Sequence, residues 1–382
     1  MKIPYSRQWI DDEDLKEVEK VLKSDFITQG PKVDEFETEI CNYVHSSYCV
    51  AVNSATSALH LSCLALGLNK GDLFWTSPIS FVASANCGIY CGADVDFVDI
   101  NEDTFNIDIN SLEKKLHKAK TIGRLPKVII PVHMGGQSSD AKIIYELVKP
   151  YNIKIIEDAS HSIGGTYNNK KIGSCEFSDI TVFSFHPVKI VTSGEGGAIV
   201  TNNKNICDKV KLLRSHGINK DPKYFKNKNY GNWHYEQIEL GLNYRITDIQ
   251  ASLGISQLKK INMFVEKRNE LAKKYNSMLK DQPISLPFVL DNIKSSFHLY
   301  IIRVEKRKQR PLFDYLRQHD IFVNLHYIPI HFHPYYKKLG FKKGMFPKSE
   351  KYFSQAISIP IYPLLKDFEQ EYVCEKILEG IK

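Results

Sequence analysis

The chain reads as an α/β protein: a large first domain built on a mostly parallel, doubly wound sheet, then a smaller α+β domain. Three observations predict this. Short apolar runs at residues 49–52, 72–76, 95–98, 128–132, 154–157 and 180–185 alternate with stretches of helical periodicity, the pattern of parallel strands joined by helices. A linker with Pro283 and Pro287 then interrupts the periodicity. Beyond it, residues 298–304 read as a strand, 311–319 as a helix and 321–327 as a second strand, a small α+β unit.

In order along the chain, residues 1–30 form an arm. Its extended entry, KIPYSRQWI, precedes an amphipathic helix with Leu15, Val18 and Leu22 on one side and Asp11 or Asp12 as cap. The loop SDFITQG leads to a second helix from Val33, with Phe36, Ile40 and Val44 inward. After the strand at 49–52 comes NSATSALHLSCLALG, where Ala58, Leu59, Leu61, Leu64, Ala65 and Leu68 form a wide apolar face at helical spacing. Residues 140–151 supply another helical pattern. Past Arg214, residues 219–239 are polar, aromatic and poorly periodic, a long surface excursion, and NYR at 243–245 precedes a helix capped near Thr247 or Asp248. A long helix with Phe264, Leu271 and Tyr275 leads to the proline linker. The expected division is residues 1–250 for the large domain and 251–382 for the connecting helix and small domain.

The chemistry concentrates at residues 179–202, DITVFSFHPVKIVTSGEGGAIVTN, two strand patterns flanking an irregular loop. Lys189 stands on that loop, after His186 and Pro187 and five residues before the glycines. A lysine held between buried strands is partly desolvated, which lowers its pKa and frees its lone pair for attack. A solvated loop lysine is the plainer alternative. Three other segments bear on the choice. In KIIEDASHSIGG, Asp158 falls where a strand gives way to a loop, at the carboxyl end of the sheet where α/β proteins bind ligands. It suits a protonated pyridine nitrogen, or the cap of a following helix. Ser54, Ala55 and Thr56 open a helix whose amides and hydroxyls suit a phosphate, or plain capping by Ser54. In WTSPISFVASAN, Phe81 either lies flat on a planar ring or packs in the core. Together they supply an amine that condenses with an aldehyde, a carboxylate for a ring nitrogen, a phosphate cup and a stacking aromatic.

NSATSAL, TSPISFVASAN, EDASH, SFHPVK, KLLRSHGI, LGLNYRITD, LGISQLKK and VNLHYIPI, with FSFHPVK followed by GEGGAIVTN as the most specific pair, resemble the DegT/DnrJ-type aminotransferases of nucleotide sugars. The resemblance runs from about Tyr5 to the last residues. It implies a fold-type I, aspartate-aminotransferase-like enzyme with pyridoxal 5′-phosphate as cofactor. The branch most similar acts in pseudaminic acid biosynthesis, on a UDP-linked 4-keto sugar with L-glutamate as amino donor. By the same resemblance Lys189, Asp158 and His161 are catalytic, with Lys189 moving a proton between the donor Cα and the cofactor C4′. His161 bonds the ring hydroxyl or the carboxyl side of Asp158. Ser54, Ala55, Thr56 and Ser184 surround the phosphate and Phe81 stacks on the ring. Tyr5, Asp25, Phe26, Ile27, Thr28, His186, Asn324, Leu325, His326 and Tyr327 line the sugar-nucleotide pocket. Asn243 reaches the neighbouring subunit's site, which implies a homodimer with shared active sites. In a related dehydratase branch the lysine position holds histidine, so Lys189 argues against that reading.

Composition narrows the classes. Lys plus Arg exceed Asp plus Glu by 51 − 44 = 7, a scattered excess that suits an anionic small substrate. The one dense basic run, EKRKQR at 305–310, reads as a solvated turn, and no nucleic-acid signature accompanies it, so no nucleic-acid partner is expected. The glycines at 194, 196 and 197 do not fit a dinucleotide fingerprint and lead into a strand. His326, His331 and His333 invite a metal, but no carboxylate or cysteine stands at ligand spacing, and none is expected. Eight cysteines without a C-x-x-C pair read as reduced thiols. With no apolar leader in the first 12 residues and no run of 18 apolar residues, a soluble cytoplasmic protein without membrane partners is expected.

Overall fold

Continuous runs of β-branched and aromatic residues suit strands buried on both faces, and the sheet is built from them. The computed structural model describes residues 2–227 and 230–382. Seven strands form the central sheet: β1 (Tyr48–Val52), β2 (Leu73–Thr76), β3 (Asp94–Phe97), β4 (Val128–Ile130), β5 (Lys154–Asp158), β6 (Ile180–Ser184) and β7 (Gly197–Thr201). Their order is β1-β7-β6-β5-β4-β2-β3. β7 pairs antiparallel with both β1 and β6, and every other neighbouring pair is parallel. Alternation along β7 sorts the core. Ala198 and Val200 join Phe36, Ile40, Phe183, Phe185 and Phe264 on one face, while Ile199 joins Leu59, Phe74, Ile156 and Val182 on the other.

Helices α1 (Asp12–Leu22), α2 (Pro31–Val44), α3 (Ala55–Ala65), α4 (Ala83–Tyr90), α5 (Ile109–Thr121), α6 (Ala141–Val148), α7 (Lys204–Arg214), α8 (Asp248–Lys259) and α9 (Ile261–Leu279) include those that cover the sheet. Asp11 caps α1, accepting from the Glu13 and Asp14 amides. The inward side of α1 differs from the simple apolar stripe. Asp14 and Val21 are buried, while Leu15 is 61% and Leu22 58% exposed. The cause lies on α8 and at its end, where Gln257 Nε2 and Lys260 Nζ donate to Asp14 Oδ2 at 2.7 and 2.8 Å. Thr247 is the N-cap of α8, forming a capping box with Gln250. Asp248 turns away and caps α2 instead, accepting from the Gly30 and Lys32 amides at 2.8 and 2.9 Å.

Under β1, the buried Glu37 accepts from the Ala51 amide at 2.9 Å and from Arg214 Nη1 at 2.6 Å. Removing one charge of such a pair strands the other in a dry site. Glu37→Gln is expected to lower the unfolding free energy by about 3–5 kcal/mol, measured by denaturant titration.

The small domain holds β8 (Tyr300–Arg303) and β9 (Ala356–Ile359), paired antiparallel, with α10 (Lys306–Gln318) and the final helix Asp367–Gly380. EKRKQR is not a turn: residues 306–310 begin α10 ahead of Pro311, with Lys306, Arg307 and Arg310 exposed and Gln309 Nε2 donating to the carbonyls of Phe353 and Ala356 at 2.7 and 2.9 Å. The strand expected over 321–327 is confined to Ile321–Phe322, which pairs in parallel with Ile3–Pro4, so the first residues are tied to the small domain. In the excursion, Ile218–Asn219 pairs with Glu236–Gln237, and Trp233 and Leu240 are 77% and 85% exposed.

Candidate active site

The carboxyl ends of β5 and β6, the loop before β7, the start of α3 and the segment 324–327 converge on one cavity of about 760 Å³. Its walls include Tyr5, Ser54, Ala55, Thr56, Phe81, Asp158, His161, Ser184, His186, Lys189, Asn324, Leu325, His326 and Tyr327, all anticipated from sequence. Asp25, Phe26, Ile27 and Thr28 are not among them: they are exposed on the surface where Thr28 bridges to Thr247. Asn243 is likewise exposed and bridges to Ser215. A second hollow of about 640 Å³ against edge strand β3 contains none of the anticipated residues.

The lysine loop is pinned at both ends. The Phe185 amide donates to Gly196 O at 2.9 Å, the Ser193 amide to Phe185 O at 3.0 Å, and Ser6 Oγ to Val188 O at 3.1 Å. Lys189 is thereby fixed with its side chain facing the cavity. Burial lowers its pKa to about 8, a drop that the negative charge of Asp158 partly offsets.

Asp158 ends β5 and is 5% exposed. Its Oδ2 accepts from Ser84 Oγ and its Oδ1 from Ser160 Oγ, both at 2.6 Å. These bonds hold the carboxylate as an oriented acceptor. His161 makes no hydrogen bond to it. Instead His161 Nδ1 accepts from the Gly135 amide at 3.3 Å, and Nε2 lies 3.1 Å from the Tyr327 hydroxyl. Burial, then the charge of Lys189, holds the His161 pKa well below the ordinary imidazole value. His326, bonded through Nδ1 to Ser358 Oγ at 2.8 Å, is pushed down to about 3, again mainly by burial.

The phosphate cup follows from helix geometry, since the first N–H groups of a helix have no acceptor within it. Ser54 caps α3 by accepting from the Ser57 amide at 3.1 Å, which leaves the amides of Ala55 and Thr56 free to meet a ligand. Gly197 makes room at this point: a Cβ there would sit 2.6 Å from Ala55 N and from Ser54 C and O, all backbone atoms. Gly197→Ala is therefore expected to displace the start of α3, costing about 1–3 kcal/mol of stability and weakening phosphate-ligand affinity. Thermal unfolding and a binding titration check both effects.

Phe81 is 58% exposed, which decides against a core role, and its ring centroid lies 6.1 Å from that of Tyr327. Sequence reasoning missed Asn53, Ser80, Ser84, Ser160, Glu195 and His298. Ser80 hydrogen-bonds Ser84, which holds Asp158, and the spacing of 80 and 84 on the TSPISFVASAN segment was the available signal. His298 opens an apolar strand run and carries no local signal of a site.

Residues 8–378 match the DegT/DnrJ/EryC1/StrS aminotransferase family. The chain belongs to this family. A UDP-4-amino-4,6-dideoxy-N-acetyl-beta-L-altrosamine transaminase of Campylobacter jejuni subsp. jejuni serotype O:23/36 (strain 81-176) is 40% identical over 388 residues, covering 100% of this chain and 98% of its own. PseC of Helicobacter pylori, an aminotransferase involved in the biosynthesis of pseudoaminic acid, superposes with a TM-score of 0.91 at 32% identity, covering 100% and 99% of the two chains. Spr1654 of Streptococcus pneumoniae, solved in its PMP form, gives a TM-score of 0.90 at 30% identity over 99% and 98%. In this DegT/DnrJ/EryC1/StrS aminotransferase, the cavity fits a phosphorylated pyridine aldehyde. The cradle under Gly197 suits the phosphate, the held carboxylate of Asp158 suits a ring N–H, and Lys189 offers the amine.

Proposed function

We propose that the protein transfers an amino group from L-glutamate to the keto carbon of a UDP-linked 4-keto-6-deoxy-N-acetylhexosamine. The product is UDP-4-amino-4,6-dideoxy-N-acetyl-β-L-altrosamine, and the cofactor is pyridoxal 5′-phosphate. The observation that carries the reading is the meeting of a lysine amine, a fixed carboxylate and an open helix N-terminus in one cavity. The similarity to the Campylobacter transaminase supports the choice of sugar.

Bound, the cofactor supplies an electron sink for negative charge at the donor's Cα. Lys189 would hold it through its amine and would carry a proton between the donor's Cα and the cofactor C4′. A pKa of about 8 leaves an appreciable fraction of Lys189 as free amine near neutral pH, so it can take that proton. Asp158 keeps the ring nitrogen protonated. The amides of Ala55 and Thr56, with Ser54 and Ser184, bind the phosphate, and Phe81 covers one face of the ring. Tyr5, His186 and the wall from Asn324 to Tyr327 receive the sugar nucleotide.

A second copy of the chain completes the site. Asp25 to Thr28 and Asn243 lie outside the cavity of their own chain, and exposed Leu15, Leu22, Phe26, Ile27, Trp233 and Leu240 offer an apolar surface for association. The free cysteines suit a reducing cytoplasm. No helix among the described residues is long and apolar enough to cross a membrane.

A product assay of the purified protein with glutamate and a panel of UDP-linked and dTDP-linked 4-keto sugars tests the proposal. The expected result is 2-oxoglutarate and a UDP-4-amino sugar in equal amounts. Turnover on a dTDP-linked sugar alone overturns the assignment of substrate.

A further inference from the structure

Behind Lys189 stands a histidine that the roles above leave unused. His298 is 1% exposed, and its Nε2 lies 3.5 Å from Lys189 Nζ. Its other nitrogen, Nδ1, is buried and has no hydrogen-bond partner among the described residues. The ring packs against His161 with centroids 4.4 Å apart. Arg268, also 1% exposed, sits beneath, donating through Nη1 to the carbonyls of Phe297, His298 and Ile361 at 3.2, 3.4 and 2.8 Å.

A neutral imidazole has one N–H and one lone-pair nitrogen. His298 is neutral, because burial holds its pKa well below the ordinary value and the fixed charge of Arg268 acts in the same direction. Two tautomers remain. With the proton on Nδ1, a buried N–H faces no acceptor while Nε2 offers a lone pair to an ammonium. With the proton on Nε2, Nδ1 keeps only an unused lone pair and the N–H points at the lysine nitrogen. An unpaired buried donor is the rarer and costlier fault, so the second arrangement wins. A donor aimed at Nζ needs a lone pair there to receive it.

We propose that His298 carries its proton on Nε2 and donates it to the Lys189 nitrogen, a positioning contact that selects the free-base form of that amine. Its use in turnover rests on the transaminase reading; the contact itself does not. The surroundings agree in sign. Asp158 alone favours the ammonium in the balance at Lys189, against the larger effect of burial. The imidazoles of His161 and His326 are neutral and offer no counter-charge. His186, Glu195, Tyr5 and Tyr327 line the same cavity, and Arg7 lines the small hollow behind Lys189 together with Arg268.

Competitive acetylation of Lys189 in the full-length, cofactor-free chain, followed by peptide mass spectrometry across pH, reads the protonation of this amine directly. The unmodified protein should give a midpoint near 8. His298→Met, of similar bulk but without a donor, should raise that midpoint by about half a unit or more. A midpoint that stays or falls overturns the proposal. Should the variant fail to fold, nitrogen-15 histidine spectra of the unmutated protein decide: His298, assigned by its contacts to the His161 ring, must show its proton on Nε2, and a proton on Nδ1 overturns the proposal. Borohydride trapping of the loaded enzyme with peptide mapping tests the transaminase reading separately. Label on another residue refutes that reading and leaves the acetylation result standing.

Discussion

Lys189→Ala is expected to reduce transamination by about 10⁴-fold or more, because one side chain supplies both the covalent anchor and the proton carrier. Neither function has a substitute nearby. His161, His298 and His326, the buried imidazoles around Nζ, are poor proton acceptors, held well below the ordinary imidazole pKa mainly by burial, and the Asp158 carboxylate is taken up by Ser84 and Ser160. The cup at Ser54 to Thr56 and the carboxylate of Asp158 are untouched by the change, so the variant should still bind pyridoxamine phosphate. Single-turnover release of 2-oxoglutarate measures the loss, and added small primary amines should restore part of the rate. Unimpaired turnover in this variant would remove Lys189 from the proposed chemistry.

Asp158→Asn separates charge from shape. The amide oxygen can still accept from Ser84 or Ser160, so the fold should persist, but the negative charge is gone. Loss of one fixed electrostatic partner in a dry site typically costs about 10²–10³-fold in rate, and that is the expected fall in turnover. A second effect has the opposite sign to that of His298→Met. Asp158 raises the Lys189 pKa, so its neutralisation should move the amine's labelling midpoint below the value near 8 of the unmodified protein. The folded chain binds fewer protons at Lys189 than the unfolded chain between about pH 8 and the ordinary lysine value. This group therefore makes stability rise with pH across that window, and Asp158→Asn should widen the window downward.

The parts of the site that the sequence displays are those carried by local chemistry. β6, the lysine loop and β7 are legible because two apolar runs buried on both faces bracket a stretch that cannot be regular. Asp158 is legible because it ends a strand, and Ser54 because it caps a helix. What escaped depends on contacts between segments far apart in the chain. His298 meets Lys189 across a separation of 109 residues, through the packing of the small domain on the large one. Ser84 meets Asp158 across 74 residues. Periodicity fixes which residues of α1 share a side but not which side the protein covers. That choice was made 246 residues away, where Lys260 claims the carboxylate of Asp14. The basic run at 305–310 failed as a turn for a related reason: its apolar continuation, Leu312 and Leu316, packs in the small-domain core and draws the exposed residues ahead of it into the same helix.

The pairing of Ile3–Pro4 with Ile321–Phe322 acts as a clasp beside one wall of the cavity, where the Tyr5 and His326 rings meet with centroids 5.1 Å apart. Tyr5 follows the first strand directly, and Asn324 stands two residues beyond the second. That part of the cavity is thus assembled from distant segments, with the Ile361 amide donating to Tyr5 O at 3.0 Å as a second fastening, and strain applied at the first strand is delivered straight to the surface that would grip the sugar.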